Sequence, residues 1–288
     1  SDGDTVHVAA GTYEEAIKVN KPLTLLGANA GIDARNRSSD SESIIDPNDS
    51  TGGAAKSWVV RVESSNVIID GFTIQNPTLE YGSAGLVLAE TSEVLSNLQF
   101  RNNILQNPGI KENNSTNWGK FGFSLGLTEN VVIEKNHIRD IRCNEATPWN
   151  ATSGIWLYGM KNSEIKDNLV DNITSYGIGL SSGNANLNIH DNEIILGELS
   201  ISEVPSWTRS GVRLGSDNGE GISVYDNYIH DCQGTDTTAG IRFQSKPDLG
   251  KTQIYGNTIE QCIIGIEVIS SAGNVNIVTN TLNSNGLQ

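Results

Sequence analysis

Three features of the sequence predict an all-β solenoid. A glycine-led strand recurs at Gly85-Leu86-Val87-Leu88, Gly122-Phe123-Ser124-Leu125, Gly154-Ile155-Trp156-Leu157, Gly177-Ile178-Gly179-Leu180, Gly211-Val212-Arg213-Leu214, Gly240-Ile241-Arg242-Phe243 and Gly265-Ile266-Glu267-Val268. An asparagine shares the period at Asn103, Asn136, Asn168, Asn192, Asn227, Asn257 and Asn280, each three residues after an apolar position and two before another, with Phe72 holding the place in an earlier rung. Rung length varies from roughly 23 to 35 residues, as in a parallel β-helix in which one corner tolerates insertions. The expectation is one domain, residues 1–288, built as a single-stranded parallel β-helix of about ten rungs.

Residues 154–173 give the unit. Ile155 and Leu157 alternate with Trp156 and Tyr158, as strand period 2 requires, a second strand surrounds Ile165, and Asn168-Leu169-Val170 closes the rung as a corner. Upstream, Thr5 to Val8, Ala16 to Val19 and Leu23 to Leu26 read as strands, punctuated by Gly11-Thr12-Tyr13 and Asn20-Lys21-Pro22. From Ala28 to Ala55 the pattern lapses into a long polar loop with one strand, Ser43-Ile44-Ile45.

The opening GDTVHVAAGTYEEAIKVNKPLTLLG resembles the first coil of the right-handed parallel β-helix superfamily, the pectate-lyase-like and pectin-esterase-like proteins. The resemblance implies a right-handed coil. It does not select a function, because lyases, hydrolases, esterases, epimerases and non-catalytic surface proteins share the fold.

Composition narrows the partners. A net charge of -15 argues against nucleic acid and anionic membrane surfaces, which need a positive footprint, and no apolar run is long enough to insert in a membrane. Ser1-Asp2-Gly3-Asp4 reads as the middle of a chain, so the missing leader says little about compartment. Cys143, Cys232 and Cys262 are too few for a disulfide scaffold. Cys232 and Cys262 share an offset in adjacent rungs, where the expectation is two buried thiols and the alternative a disulfide. The asparagines are expected to stack as a structural ladder. His7, His137, His190 and His230 occupy different offsets, which gives no zinc-like cluster. Asp46-Pro47-Asn48-Asp49 reads as a turn, with a calcium role as the alternative.

The chemistry is expected at the insertions. Residues 106–121, 139–153 and 197–210 are long, with shorter insertions at 77–84 and 231–239, and all enter between the asparagine corner and the next glycine-led strand. They form a wall beside that sheet, so its outer face becomes a groove. Trp118, Trp149 and Trp207 belong to the wall, and Trp156 and Tyr158 to the sheet. Flat rings stack on sugars, so polysaccharide is the expected partner. The outward rows read Val87, Ser124, Trp156, Gly179, Arg213, Arg242, Glu267 and Ala89, Gly126, Tyr158, Ser181, Gly215, Gln244, Ile269.

Arg213 and Arg242, neighbours in one row, are spaced to clamp carboxylates of a uronate-containing glycan. Glu267 follows them, and an Arg242–Glu267 ion pair is the structural alternative. With Lys246 the two arginines form the candidate catalytic set for β-elimination, in which a lyase neutralises the carboxylate and removes the C5 proton. By resemblance to such lyases, calcium is a possible cofactor. Hydrolysis would need two carboxylates across the bond, and no pair among Asp217, Glu220, Asp236 and Glu267 repeats at one offset. The N-T-D, D-D, G-H-G and R-I-K signatures of polygalacturonases and the Q-D-T and L-G-R-P-W signatures of pectin methylesterases are missing. Two functions follow as expectations for an extracellular or surface protein: a lyase on an acidic glycan, or a non-catalytic glycan-binding or adhesive module.

Overall fold

The computed structural model of the chain describes residues 1–37, 41–47, 58–76, 84–107, 119–142, 152–197, 209–215, 217–232, 238–244, 251–269 and 275–286. Each turn of the coil visits three sheets. In the middle of the chain the glycine-led sheet contains Ser153–Tyr158, Tyr176–Leu180, Ser210–Leu214 and Ala239–Phe243. A second sheet contains Lys161–Lys166, Ala185–His190, Ser223–Tyr225 and Thr252–Tyr255. A third contains Leu169–Asp171, Glu193–Ile195, Tyr228–His230 and Thr258–Glu260. Nearer the N-terminus, Ala84–Arg101 and Lys120–Glu134 run through the first two sheets without a break.

Among the described residues the strands pair in parallel with their counterparts one turn away, and the third sheet has 10 strands, one to a turn. The expected unit therefore gains a strand. Residues after the ladder asparagine pair as a sheet of their own, and Gly11–Tyr13, expected as punctuation, is its first strand.

The interior explains why these residues coil. Leu157, Leu180 and Leu214 stack from the first sheet, Ile165, Ile189, Val224 and Ile254 from the second, and Val170, Ile194, Ile229 and Ile259 from the third, none more than 1% exposed. Each such side chain contributes on the order of 2 kcal/mol on burial. The leading glycines let the third sheet reach across. A Cβ at Gly177 would lie 2.5 Å from the Ile194 Cγ2 and 2.7 Å from the Gly211 carbonyl oxygen, and Gly122, Gly154, Gly211 and Gly240 are equally crowded.

The asparagine ladder is continuous. The Asn168 Nδ2 donates to the Asn192 Oδ1 at 2.9 Å and to the Ile133 carbonyl at 2.9 Å, while the Asn168 Oδ1 accepts the Asn136 backbone N–H at 3.1 Å. The pattern repeats from Asn103 to Asn280, and the Phe72 backbone N–H ends it on the Asn103 Oδ1. A second, shorter ladder joins Asn184 to Asn218 at 2.9 Å between the first two sheets. The corners also use left-handed backbone, for which Asn and Asp pay the least among side-chain-bearing residues. One such column runs through Asn66, Asn97, Asn130, Asn162 and Asn186, another through Asn102, Asp167, Asp191 and Asp226.

Cys232 and Cys262 form a disulfide, which overturns the expectation of two thiols. They continue the apolar corner column of Ile141, Ile173 and Leu196, all fully buried. Stacked coils bring the two Cα atoms to 4.4 Å, within bridging range. Cys143 lies outside the described residues.

The polar stretch after Leu26 is a strap rather than a slack loop. Its single 3-10 turn, Ala34–Asn36, starts at Asp33, whose side chain accepts the Arg35 N–H. The strap then crosses successive turns along the second-to-third-sheet corner. The Ala34 N–H donates to the Lys135 carbonyl at 3.1 Å, and Arg37 donates to the Asn102 carbonyl at 2.7 Å while pairing with Glu42 at 2.9 Å.

Candidate functional site

Two outer faces of the coil are occupied by their own side chains. On the second sheet Arg101 pairs with Asp70 at 3.0 Å, Lys166 and His190 both reach Glu164 at 2.7 and 3.0 Å, and the His190, Tyr225 and Tyr255 rings stack at 4.6 and 4.9 Å. The Lys166 ammonium is the main reason the Glu164 carboxyl is held below its ordinary value, and His190 adds to it. On the third sheet Asp46, Gln75, Gln106 and Arg139 form one hydrogen-bonded chain, His137 meets Asp171 at 2.8 Å, and His230 meets Glu193 at 3.1 Å.

The outer face of the glycine-led sheet is different. Its first row reads Lys18, Arg61, Leu88, Ser124, Trp156, Gly179, Arg213, Arg242, Glu267, and its second includes Glu90, Gly126, Tyr158. Val87 and Ala89, expected in these rows, point inward at 1% and 0% exposure. Gly85 causes the slip. It pairs with Phe121 rather than with Gly122, and no interior neighbour crowds it. A one-residue shift exchanges the two faces of a strand, so the sequence reading hid Glu90.

Trp156 and Tyr158 lie flat on the sheet and lean in opposite directions. A Cβ at Gly179 would lie 2.7 Å from the Trp156 Cε3, and one at Gly126 would lie 2.0 Å from the Tyr158 Cζ. Phe121 and Tyr176 flank the indole, with ring centres 5.9 and 6.2 Å away at 29° and 22°. The Arg213 guanidinium covers this cluster, 5.7 Å from the Trp156 ring centre and 5.1 Å from that of Tyr176, which is cation–π range. Phe121 and Tyr176 were missed because each precedes the leading glycine, where a strict period-2 reading assigns no outward side chain.

Arg213 is part-exposed. Its Nε donates to the Gln244 Oε1 at 2.9 Å and its Nη1 to the Leu180 carbonyl at 3.4 Å, leaving Nη2 with no hydrogen-bond partner among the described residues. Burial lowers the guanidinium pKa; Tyr176 opposes that shift and Arg242 adds to it. Arg242 is nearly fully buried and its Nε donates to the Glu267 Oε2 at 2.5 Å, so the structural alternative for this pair is realised. Lys246, Trp118, Trp149 and Trp207 lie outside the described residues.

Hydroxyls stand at the heads of several strands of this sheet. Thr152 and Ser153 open one strand, Ser210 and Thr238 the heads of later ones, and all four hydroxyl oxygens are buried without a hydrogen-bond partner. Arg209, also fully buried, donates through Nη2 to the Leu196 and Gly197 carbonyls. Burial, with the charge of Arg142, lowers its pKa to about 10. The Glu90 Oε1 accepts the Ser124 hydroxyl at 2.5 Å, and the carboxylate also accepts the Tyr158 hydroxyl. Burial, and then the Glu90 charge, push the Tyr158 pKa up to about 12. Among the described residues no group of three His, Cys, Asp or Glu side chains is placed to hold a metal ion, and no helix is long and apolar enough to cross a membrane.

The family model described as "Right handed beta helix region" matches residues 24–201, more than half of the chain. The chain belongs to the right-handed β-helix family. Among solved structures, this β-helix is similar to the enzymatically active domain of bacteriophage CBA120 tailspike protein 2. The TM-score is 0.50 and the identity 11%, over 95% of this chain and 43% of that one. It is also similar to an alginate lyase from Paenibacillus sp. (TM-score 0.48, 10% identity, 100% and 93% covered). A third is PfbA, a surface adhesin of Streptococcus pneumoniae (TM-score 0.45, 13% identity, 99% and 85% covered). At 11% identity the likeness to the tailspike domain bears on the fold alone. The β-helix spans less than half the length of the tailspike domain. No curated protein matches it by sequence.

Proposed function

We propose that the outer face of the glycine-led sheet binds a polysaccharide that carries carboxylates, outside the cell. The observation that carries this reading is Arg213 over Trp156 and Tyr176. A guanidinium whose Nη2 no described residue engages sits beside an aromatic surface on the outer face of the sheet. Aromatic rings take the apolar faces of sugars, and guanidinium takes carboxylate. The Cys232–Cys262 disulfide supports an oxidising compartment.

The finer reading is β-elimination on a uronate. A base removes the C5 proton, the electron pair forms the C4–C5 double bond, the C4–O bond breaks, and the leaving oxygen takes up a proton. Arg213 neutralises the carboxylate, and Lys246 or Arg242 serves proton transfer. The tie between Arg242 and Glu267 favours the alternative of a non-catalytic binding or adhesive module, since it occupies one candidate of that set.

Incubation with polygalacturonate, alginate and a neutral glycan, with and without calcium, separates the readings. New absorbance from an unsaturated uronate establishes the lyase, and retention without turnover establishes the module. No retention of any of the three, together with no effect of Trp156→Ala, overturns glycan binding at this face.

A further inference from the structure

Glu90 and Arg213 place opposite charges on the outer face of the glycine-led sheet, while the neighbouring Arg61 and Lys18 are paired with Glu63, and Arg242 with Glu267. Glu90 stands in the outer rows four turns before Arg213, a separation of about 19 Å at the usual strand spacing of ~4.8 Å. Glu90 belongs to a built cluster. Ser124 and Tyr158 both donate hydroxyls to its carboxylate, and the Tyr158 ring is laid over Gly126, which has no side chain to displace it. A carboxylate has about four lone-pair sites, so two hydroxyl donors leave room for two more. Sugar hydroxyls are donors of that kind, and a second carboxylate is not.

Resting on glycan binding at this face, we propose that Glu90 is a specificity residue that admits uncharged sugars at its own part of the groove and rejects uronates there. The preferred guest is a partly acidic polysaccharide, with carboxylates at Arg213 and neutral sugars at Glu90. The Tyr158 hydroxyl, held protonated by burial and by the Glu90 charge, keeps donating across the neutral pH range and so fixes the carboxylate in place. On the second and third outer faces Arg101, Lys166, His137 and His230 each meet a carboxylate of their own face.

The test uses polygalacturonate and alginate, each fully acidic and with part of its carboxylates esterified, against the wild-type protein and Glu90→Gln. The wild type is expected to bind the part-esterified form of its preferred backbone about fivefold more tightly than the fully acidic form, an effect of the size that one near-surface charge exerts. Glu90→Gln is expected to erase that ratio by strengthening binding of the acidic form. Equal or tighter wild-type binding of the fully acidic polymer overturns the specificity role while leaving glycan binding intact, and it does so without any variant. A wild-type preference that survives Glu90→Gln also overturns it. Retention of neither backbone in either form removes the binding reading and this inference together.

Discussion

The Trp156 indole lies across Gly179 of the next turn, so the platform and the gap that receives it sit in one row of one sheet. Gly179→Ala would put a methyl 2.7 Å from the ring. Overpacking of this kind costs about 1–3 kcal/mol, and the indole would be lifted away from Tyr176. The expected outcome is a lower melting temperature, a red shift in tryptophan emission and weaker glycan retention. An unchanged emission spectrum would mean that the ring does not rest there.

The ladder should be far more sensitive at its middle than at its end. Asn168 is fully buried, and Asn168→Ala removes the acceptor of the Asn136 backbone N–H and the donor to the Ile133 and Lys166 carbonyls, while the Asn192 Oδ1 keeps the Asn168 N–H. At about 1–3 kcal/mol for each buried group left unpaired, a loss of ~3 kcal/mol or more is expected in urea denaturation. Asn280, less buried and in the last described turn, should cost well under half as much.

Reducing the Cys232–Cys262 bridge, or replacing both cysteines by serine, should destabilise the C-terminal coils. The linked positions are 30 residues apart, for which loop closure predicts about 3–4 kcal/mol. Unreduced, denatured protein should titrate one thiol, and reduced protein all 3 cysteines. Three thiols before reduction would exclude the bridge.

Acid should loosen the second sheet. The Glu164 carboxyl is held below its ordinary value, first by Lys166 and then by His190. A depressed folded-state pKa gives stability that is complete above the unfolded value, near 4.5, and is lost as the pH falls through the folded one. Thermal melts from pH 6 down to pH 3 should show a smaller loss of stability for Glu164→Gln than for the wild type. Parallel curves would contradict the assignment.

Tyr158 should be among the tyrosines that ionise late. Tyr158 is pushed up to about 12 by burial and by Glu90, so its phenolate should appear after the more exposed tyrosines in an ultraviolet titration. Because burial is the larger cause, Glu90→Gln should bring the value down only part of the way towards 10.0.

Much of this was legible before any coordinates. Asn168 and its partners were readable because a buried amide ladder tolerates one residue type at one offset, and the outer row from Ser124 to Glu267 followed from it. Gly85 misled because a glycine at the head of a strand looks the same whether or not a neighbour crowds it. Only packing distinguishes it from Gly122. The strand after each asparagine was too short for its periodicity to stand out. The strap was hidden because its bonds run to the Asn102 and Lys135 carbonyls, which composition does not encode. The left-handed corners did leave a trace, in Asn and Asp recurring one residue before the ladder, as at Asp167 and Asp191.

The asparagine ladder has one last consequence. Every step of it is the same transaction between one coil and the next, whether the spacing is 24 residues, as from Asn168 to Asn192, or 35, as from Asn192 to Asn227. Whole coils are therefore interchangeable parts. The number of coils sets the length of the outer row, and with it the length of polymer that the proposed binding face spans. In this molecule a gene duplication of a single coil would lengthen a ruler.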